Sequence, residues 1–308
     1  MAYIHSPLQV RGPSVIAQLI EKYGLNDPWP VQFWRWLTGV FTGKFGFSTS
    51  VQQPVLEAIF QRLPATVELV LFSIVLIFSG GIVLGVVSAV YHNRFLDHAT
   101  RLVAIGGWSM PSFVLGLFML MIFYGKLKWF YPTRLSDWAK DVVYSANFIR
   151  YTGMNTVDAL LNGRLDIFVD AMRHLAMPVL TLTLMNWAAL CRLTRSSMLE
   201  ALRQDYVSTA RAKGLAEKAV IFRHVLRNAL LPTVTFGGLL IAWLLGGVVI
   251  TETVFEYEGI GSFAAAAAQR LDFPGILGFA MFFGGVMVIM NLIVDLLYAV
   301  IDPRIRLD

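Results

Sequence analysis

From Leu69 to Tyr91 the chain carries no Asp, Glu, Lys or Arg. A helix that is apolar all round has no solvated face, so a stretch of this kind belongs inside a bilayer or deep in a large core. Crossing the hydrocarbon takes roughly 20 apolar residues, and five runs provide them, at about residues 64–91, 99–124, 174–191, 230–255 and 275–301. Composition agrees: of 308 residues, 56 % are hydrophobic and 15 % charged, against about 25 % charged in a soluble domain. Gly80, Gly81, Gly85, Pro111, Gly116, Pro178, Gly246, Gly247, Gly284 and Gly285 fall within the runs. Neighbouring helices can satisfy the backbone groups that such residues free, and glycine pairs let helices approach closely. The expected fold is an all-α polytopic membrane bundle with five transmembrane helices.

Lysine and arginine flanking the spans set the orientation. Residues 192–228 hold eight basic against three acidic residues, while the longer stretch 125–173 holds seven against five. If spans alternate, the short loop 92–98 and the basic tail 304–306 share the side of 192–228. That side is therefore cytoplasmic, and residues 1–62 are external. The division is an external segment 1–62 and a membrane domain 63–308, with an inner loop at about 201–229 and an outer loop at 125–173. The net charge of +5 is spread over loops on both sides, which argues against nucleic acid as a partner. The single cysteine, Cys191, excludes an intramolecular disulfide, and residues 1–26 lack the apolar core of a signal peptide.

The inner loop is the most specific stretch. It reads Tyr206-Val207-Ser208-Thr209-Ala210-Arg211-Ala212-Lys213-Gly214, then His224-Val225-Leu226-Arg227-Asn228-Ala229-Leu230-Leu231-Pro232. Small residues at Thr209, Ala210 and Ala212 suit a short helix that seats in a groove, and Gly214 permits the positive-φ turn that ends it. Residues 216–226 form a second amphipathic helix, with Val220, Ile221, Val225 and Leu226 on one face and Lys218 and Arg223 on the other. An ordinary basic loop accounts for the charge but not for the Ala/Gly spacing. This order resembles the coupling loop of permease subunits of ATP-binding-cassette importers, and more narrowly the dipeptide/oligopeptide permease family. Ser208 stands where the family pattern usually has Glu. The resemblance implies that Ser208, Thr209, Ala210, Ala212, Lys213, Gly214, Val220, Ile221, Arg223 and His224 form the surface gripped by an ATPase subunit.

Other segments follow the family order over about residues 20–308. Thr251-Glu252-Thr253-Val254-Phe255-Glu256-Tyr257-Glu258-Gly259-Ile260-Gly261 resembles its outer Gly-Ile-Gly turn, with Glu258 where Pro is usual. Its carboxylates suit a peptide amino terminus or a metal; a solvated helix end with a structural turn explains them as well. Glu252, nearest the membrane, is expected to face the bundle interior, because a carboxylate in lipid costs at least about 2.5 kcal/mol. Ser109-Met110-Pro111-Ser112-Phe113 and Asn291-Leu292-Ile293-Val294-Asp295, continuing to Asp302-Pro303-Arg304, also match. Pro111 should kink or break its span. Pro111, Ser112, Glu252, Asn291 and Asp295 are candidates for the path or its gate; simple packing explains Pro111 equally, and hydrogen bonding or pairing with an interior Arg is the preferred role of Asp295. Trp129, Phe130, Tyr131, Trp138, Tyr144, Phe148 and Tyr151 in the outer loop form either an interfacial belt or a docking platform for a solute-binding protein. The family places a membrane helix before its external segment. A start assigned too far downstream, a shortened chain or a helix from another chain would each account for its absence, and the first is the expectation.

The residues around Gly39 to Lys44 lack the spacing and hydroxyl of a phosphate-binding loop. His5, His92, His98, His174 and His224 are too scattered for a zinc site. The chain is thus expected to be no enzyme and to bind no cofactor or metal. The resemblance implies a second homologous permease, two ATPase subunits that bind ATP and magnesium, an extracytoplasmic solute-binding protein and surrounding lipid in a cell membrane. Peptides are the implied cargo, with oligosaccharides or nickel chelates as alternatives. An ion-gradient secondary transporter working through Glu252 and Asp295 is the reading from another class. The lack of an inverted repeat and the Ala/Gly loop oppose it, and no filter sequence suggests a channel.

Overall fold

The computed structural model describes residues 26–245 and 248–301. Residues 1–25, Gly246, Gly247 and the tail from Asp302 lie outside the described residues, as does the side chain of Asp295. The chain opens with α1 (Trp29–Phe41) and a short antiparallel hairpin, β1 (Phe47–Ser48) and β2 (Gln53–Pro54). Then come α2 (Val55–Val90), α3 (Phe95–Trp108), α4 (Ser112–Met119), α5 (Asp137–Val143), α6 (Asn155–Leu161) and α7 (Leu165–Leu202). The inner loop holds α8 (Asp205–Ala212), α9 (Glu217–Ala219) and α10 (Leu226–Ala229); α11 (Leu231–Leu245), α12 (Val249–Val254), α13 (Ile260–Gln269) and α14 (Phe273–Ile301) follow. Among the described residues, three helices, α2, α7 and α14, are long and apolar enough to cross a membrane, and up to five spans result if each of two bent pairs counts as one.

The spans differ from the sequence expectation at their ends, for reasons of packing. α2 starts at Val55 rather than near residue 64, so Pro64 lies inside it and the proposed boundary at residue 62 falls within a helix. Val55, Ala58 and Ile59 extend the helix because they bury against Ile260 and Phe263. α7 has 38 residues, so at 1.5 Å per residue it is about 57 Å long, nearly twice the hydrocarbon thickness. Its outer end packs Ile167 and Ala171 into the outer loop, and its inner end packs Met198 and Ala201 against the inner loop. The second span breaks at Pro111, where the helices on either side diverge by 99°. Within the expected fourth span, 230–255, α11 is described as far as Leu245, and Glu252 lies buried on a further short helix, α12.

The outer loop is a packed unit. Leu135, Ala139, Val143, Phe148, Ala159, Ile167 and Ala171 form its core. Ser136 donates its backbone N–H and hydroxyl to Asp170 on α7, at 2.9 and 2.6 Å, and Asp158 accepts from the backbone of Thr152 and Gly153. Of the aromatics read as a belt or platform, Phe148 is buried in this core, whereas Trp129, Tyr131, Trp138, Tyr144 and Tyr151 are exposed. On the same side, Asp272 before α14 accepts from the Ser48 hydroxyl and the Ser50 N–H, fastening the hairpin to the bundle. Burial pushes its pKa up, but those donors and the Gly275 N–H outweigh burial and hold the carboxyl below its usual value. A group depressed on folding stabilises above its unfolded pKa and loses that contribution as pH falls through the folded one. The thermal midpoint should therefore drop on acidification, and Asp272→Asn should flatten that drop in a melting series against pH.

α2 and α7 make the central contact. A Cβ on Gly85 would lie 2.6 Å from Thr194 Cβ and 3.0 Å from the Cys191 carbonyl, and one on Gly81 would lie 2.7 Å from Leu190 Cδ2. Because one of these neighbours is backbone, rotamer changes cannot make room. Gly85→Val should destabilise by about 1–3 kcal/mol or more, read as a lower melting temperature in detergent.

Candidate functional site

At the inner end, the loop uses its apolar residues to close the bundle. Val207, Ala210, Val220, Ile221, Val225 and Ala229 cluster with Val86, Ala89, Met198 and Ala201 of α2 and α7. Ser208, Thr209, Ala212, Lys213, Gly214 and Arg223 are left exposed and His224 half-buried. The candidate loop residues thus divide: Ala210, Val220 and Ile221 face the protein, and the others point outward or lie at the edge. α8 ends in a paired turn, in which Leu215 N–H donates to Ala210 O at 3.4 Å and Gly214 N–H to Arg211 O at 2.9 Å. Gly214 has φ +79° and open space around a would-be Cβ, so backbone handedness demands the glycine. Arg211 spans the turn with two hydrogen bonds to Glu217, at 2.6 and 3.1 Å. The second helix is interrupted by a π-helical stretch, Val220–Val225, which the amphipathic pattern did not reveal.

Behind this loop lies a charged clamp that sequence reading missed. Asp97, at the start of α3, is fully buried. It accepts from Arg195 Nε and Nη2 at 3.0 and 2.9 Å, from the Asn93 N–H at 3.0 Å and from the Ser88 hydroxyl. The clue was Arg195 within an otherwise helical run, which calls for a partner.

At the outer end, Glu252 is fully buried, accepting from Thr66 Oγ1 at 2.6 Å and from the Ser262 N–H at 2.9 Å. It faces the interior, as the cost of lipid exposure required. Gly261 is needed nearby because a Cβ there would sit 2.7 Å from Val249 Cα. Two residues from Thr66, Glu68 accepts from Thr156 N–H (2.7 Å), Thr156 Oγ1 (2.8 Å), Arg134 Nη2 (3.0 Å) and Tyr257 OH (3.1 Å). Two buried carboxylates thereby join α2, the outer loop and the turn after α12. Glu256 and Glu258 remain exposed.

The path candidates separate. Ser112 lines a groove of about 470 Å³ with Asn186, Trp243 and Thr251, and Pro111 caps the helix that Ser112 begins. Glu252 lies on α12 next to Thr251, which reaches that groove. Asn291 is exposed on α14, a helix that packs against α11 and α13 rather than α4 or α12, so the structure does not bring it to Ser112 and Glu252. Among the described residues, no group of three or more His, Cys, Asp or Glu could hold a metal ion.

Two family profiles match the sequence: "Binding-protein-dependent transport system inner membrane component" over residues 81–307, and the corresponding N-terminal membrane component over residues 8–70. The chain belongs to this family of transport-system permeases. It is 42 % identical over 294 residues to a probable D,D-dipeptide transport system permease of Escherichia coli, covering 95 % of this chain and 84 % of that protein. It is 40 % identical to an oligopeptide transport system permease of Bacillus subtilis, covering 94 % and 84 %. With a dipeptide transport system permease of Alkalihalophilus pseudofirmus the identity is 38 %, over 96 % and 86 %. The protein is a multi-pass inner-membrane permease component, and its relatives are transport subunits rather than enzymes.

Removing one partner from a buried ion pair costs about 3–5 kcal/mol, because the other charge is stranded. Glu68→Gln and Arg134→Met should each lower stability on that scale. The double variant Glu68→Gln/Arg134→Met should lose clearly less than the sum, as read by thermal unfolding of the purified protein.

Proposed function

We propose that this permease forms half of the translocation path of a peptide importer. A second homologous permease completes the path, and two ATPase subunits that bind ATP and magnesium drive it from the cytoplasmic side. A solute-binding protein delivers short peptides to the opposite side, where residues 26–62 and the outer loop lie. The chain itself supplies no catalytic group. The observation that carries this reading is the inner loop: its apolar face is used up closing the bundle, while Ser208, Thr209, Ala212 and the Gly214 turn remain exposed on a rigid, capped helix. A surface of small residues with fixed backbone suits a partner's groove. ATP-driven movement of that partner would shift the loop, and with it the inner ends of α2 and α7, as a rigid body. Peptides are supported as cargo by the similarity to dipeptide and oligopeptide transport permeases.

The test is Gly214→Val in the reconstituted importer. A β-branched residue at positive φ costs at least about 1–2 kcal/mol in the turn, enough to distort the docking surface without unfolding the bundle. The expected result is normal membrane assembly, persistent ATP hydrolysis and at least tenfold slower peptide uptake. Normal coupled uptake would overturn the role of the loop. Uptake driven by a proton gradient without ATP would overturn the importer reading.

A further inference from the structure

We infer that a cleft at the outer end of the permease binds the amino-terminal end of a short peptide, with Asn155 reading its first amide and Glu256 and Glu258 its ammonium group. The inference rests on the peptide reading above and adds a subsite to it. The cleft, of about 630 Å³, opens between the outer loop and α13, within the size range of sites for small ligands. Its floor carries unused hydrogen-bonding capacity. Asn155 is only 6 % exposed, and its side-chain amide makes no hydrogen bond among the described residues. Arg134 Nε, in the same wall, is a buried nitrogen without a partner. The Asn155 amide atoms are not sealed from solvent but reach the open cleft, where a ligand with matching donors and acceptors can take the place of water. The Asn155 amide presents two N–H donors and a carbonyl with two lone pairs, so it can pair with both the C=O and the N–H of a peptide group.

The charge around the cleft sets the polarity. Lys140 is engaged by Asp137 at 3.3 Å, and Arg134 by Glu68 at 3.0 Å. Glu252 is consumed by Thr66 and the Ser262 N–H. Glu256 and Glu258 line the cleft, are exposed, and form no ion pair among the described residues. Arg62, whose charge reaches Glu258, already donates to Ala58 O and lies over the Phe263 ring. The free charge at the rim is therefore negative and suits a cation. Val143, Ala265 and Ala266 supply an apolar wall for a first side chain. A free amino terminus followed by an amide fits this order; an N-blocked peptide does not.

The experiment uses the complete importer in nanodiscs without its binding protein, with the photoreactive dipeptide alanyl-p-benzoylphenylalanine and its N-acetyl form as probes. Labelling should map to residues 133–144, 155 or 256–269 and be competed by alanyl-alanine. The N-acetyl probe should half-saturate at a concentration on the order of tenfold higher, as expected for loss of a charge-assisted contact. Glu256→Gln/Glu258→Gln, on the exposed rim, should remove the preference for the free terminus. Asn155→Leu should weaken both probes alike, with thermal unfolding confirming that the variant is folded. Equal labelling by the two probes in the parent, or labelling elsewhere while peptide uptake proceeds normally, would overturn the subsite and leave the importer reading intact. So would a cleft that crosslinks only to added binding protein and is indifferent to alanyl-alanine, which would make it a protein-docking groove. Uptake is read separately, in sealed proteoliposomes supplied with binding protein and ATP; its absence there would instead overturn the function on which the inference rests.

Discussion

The close approach of α2 to α7 is the contact on which the rest of this bundle depends. Gly81 and Gly85 on α2 allow Leu190 and Thr194 of α7 to lie where side chains would otherwise hold the helices apart. In lipid, association gains little from hydrophobicity and relies on dispersion between closely packed surfaces. The two longest helices therefore become one rigid pair that extends beyond the hydrocarbon at both ends. Each overhang then organises a packed unit: the outer ends of α2 and α7 hold the outer loop through Glu68 and Asp170, and the inner ends hold the inner loop through Val86, Ala89, Met198 and Ala201. α14 contributes far less to this core, with only 6 % of its most apolar window buried.

Much of this architecture was legible in residue order. Uncharged runs announced the spans, Pro111 announced the break, and Gly214 announced a left-handed helix end. Glu252 was placed inward by solvation cost alone, and the structure puts it there. What local pattern could not supply was the identity of distant partners. Glu68, Arg134, Asp97 and Arg195 read as isolated charges, because the residues that satisfy them are separated by tens of positions in sequence. The same limit explains the helix ends. Nothing in Val55 to Leu63 shows that Ile260 and Phe263 wait to bury it, so the extension of α2 beyond the apolar run was not legible. Asn291 was grouped with Ser112 and Glu252 by motif, yet it stands exposed on a helix that packs elsewhere.

The two ends of the molecule solve opposite problems with different chemistry. The outer end is fastened by buried carboxylates that accept several donors each, an arrangement that is costly to open because every broken bond strands charge in a poorly solvated place. The inner loop is held mainly by Val, Ile and Ala contacts, which are non-directional and tolerate small sliding displacements. Asp97 and Arg195 interrupt that difference at one point, tying the α2–α3 turn to α7. Motion imposed from the inner side would thus travel along stiff helices toward an outer end that resists loosening.

The open space around Gly214 has a consequence for chirality. Since a Cβ built there meets no atom within 4 Å, size is not what the position selects. An L-residue is penalised only because its φ is +79°, a value natural to the mirror-image amino acid. A D-alanine at 214 would enter the same turn without strain while lowering the conformational entropy of the unfolded chain, which glycine maximises. Achirality is thus the whole of what this residue contributes, and the turn it makes is stereochemical rather than steric in origin.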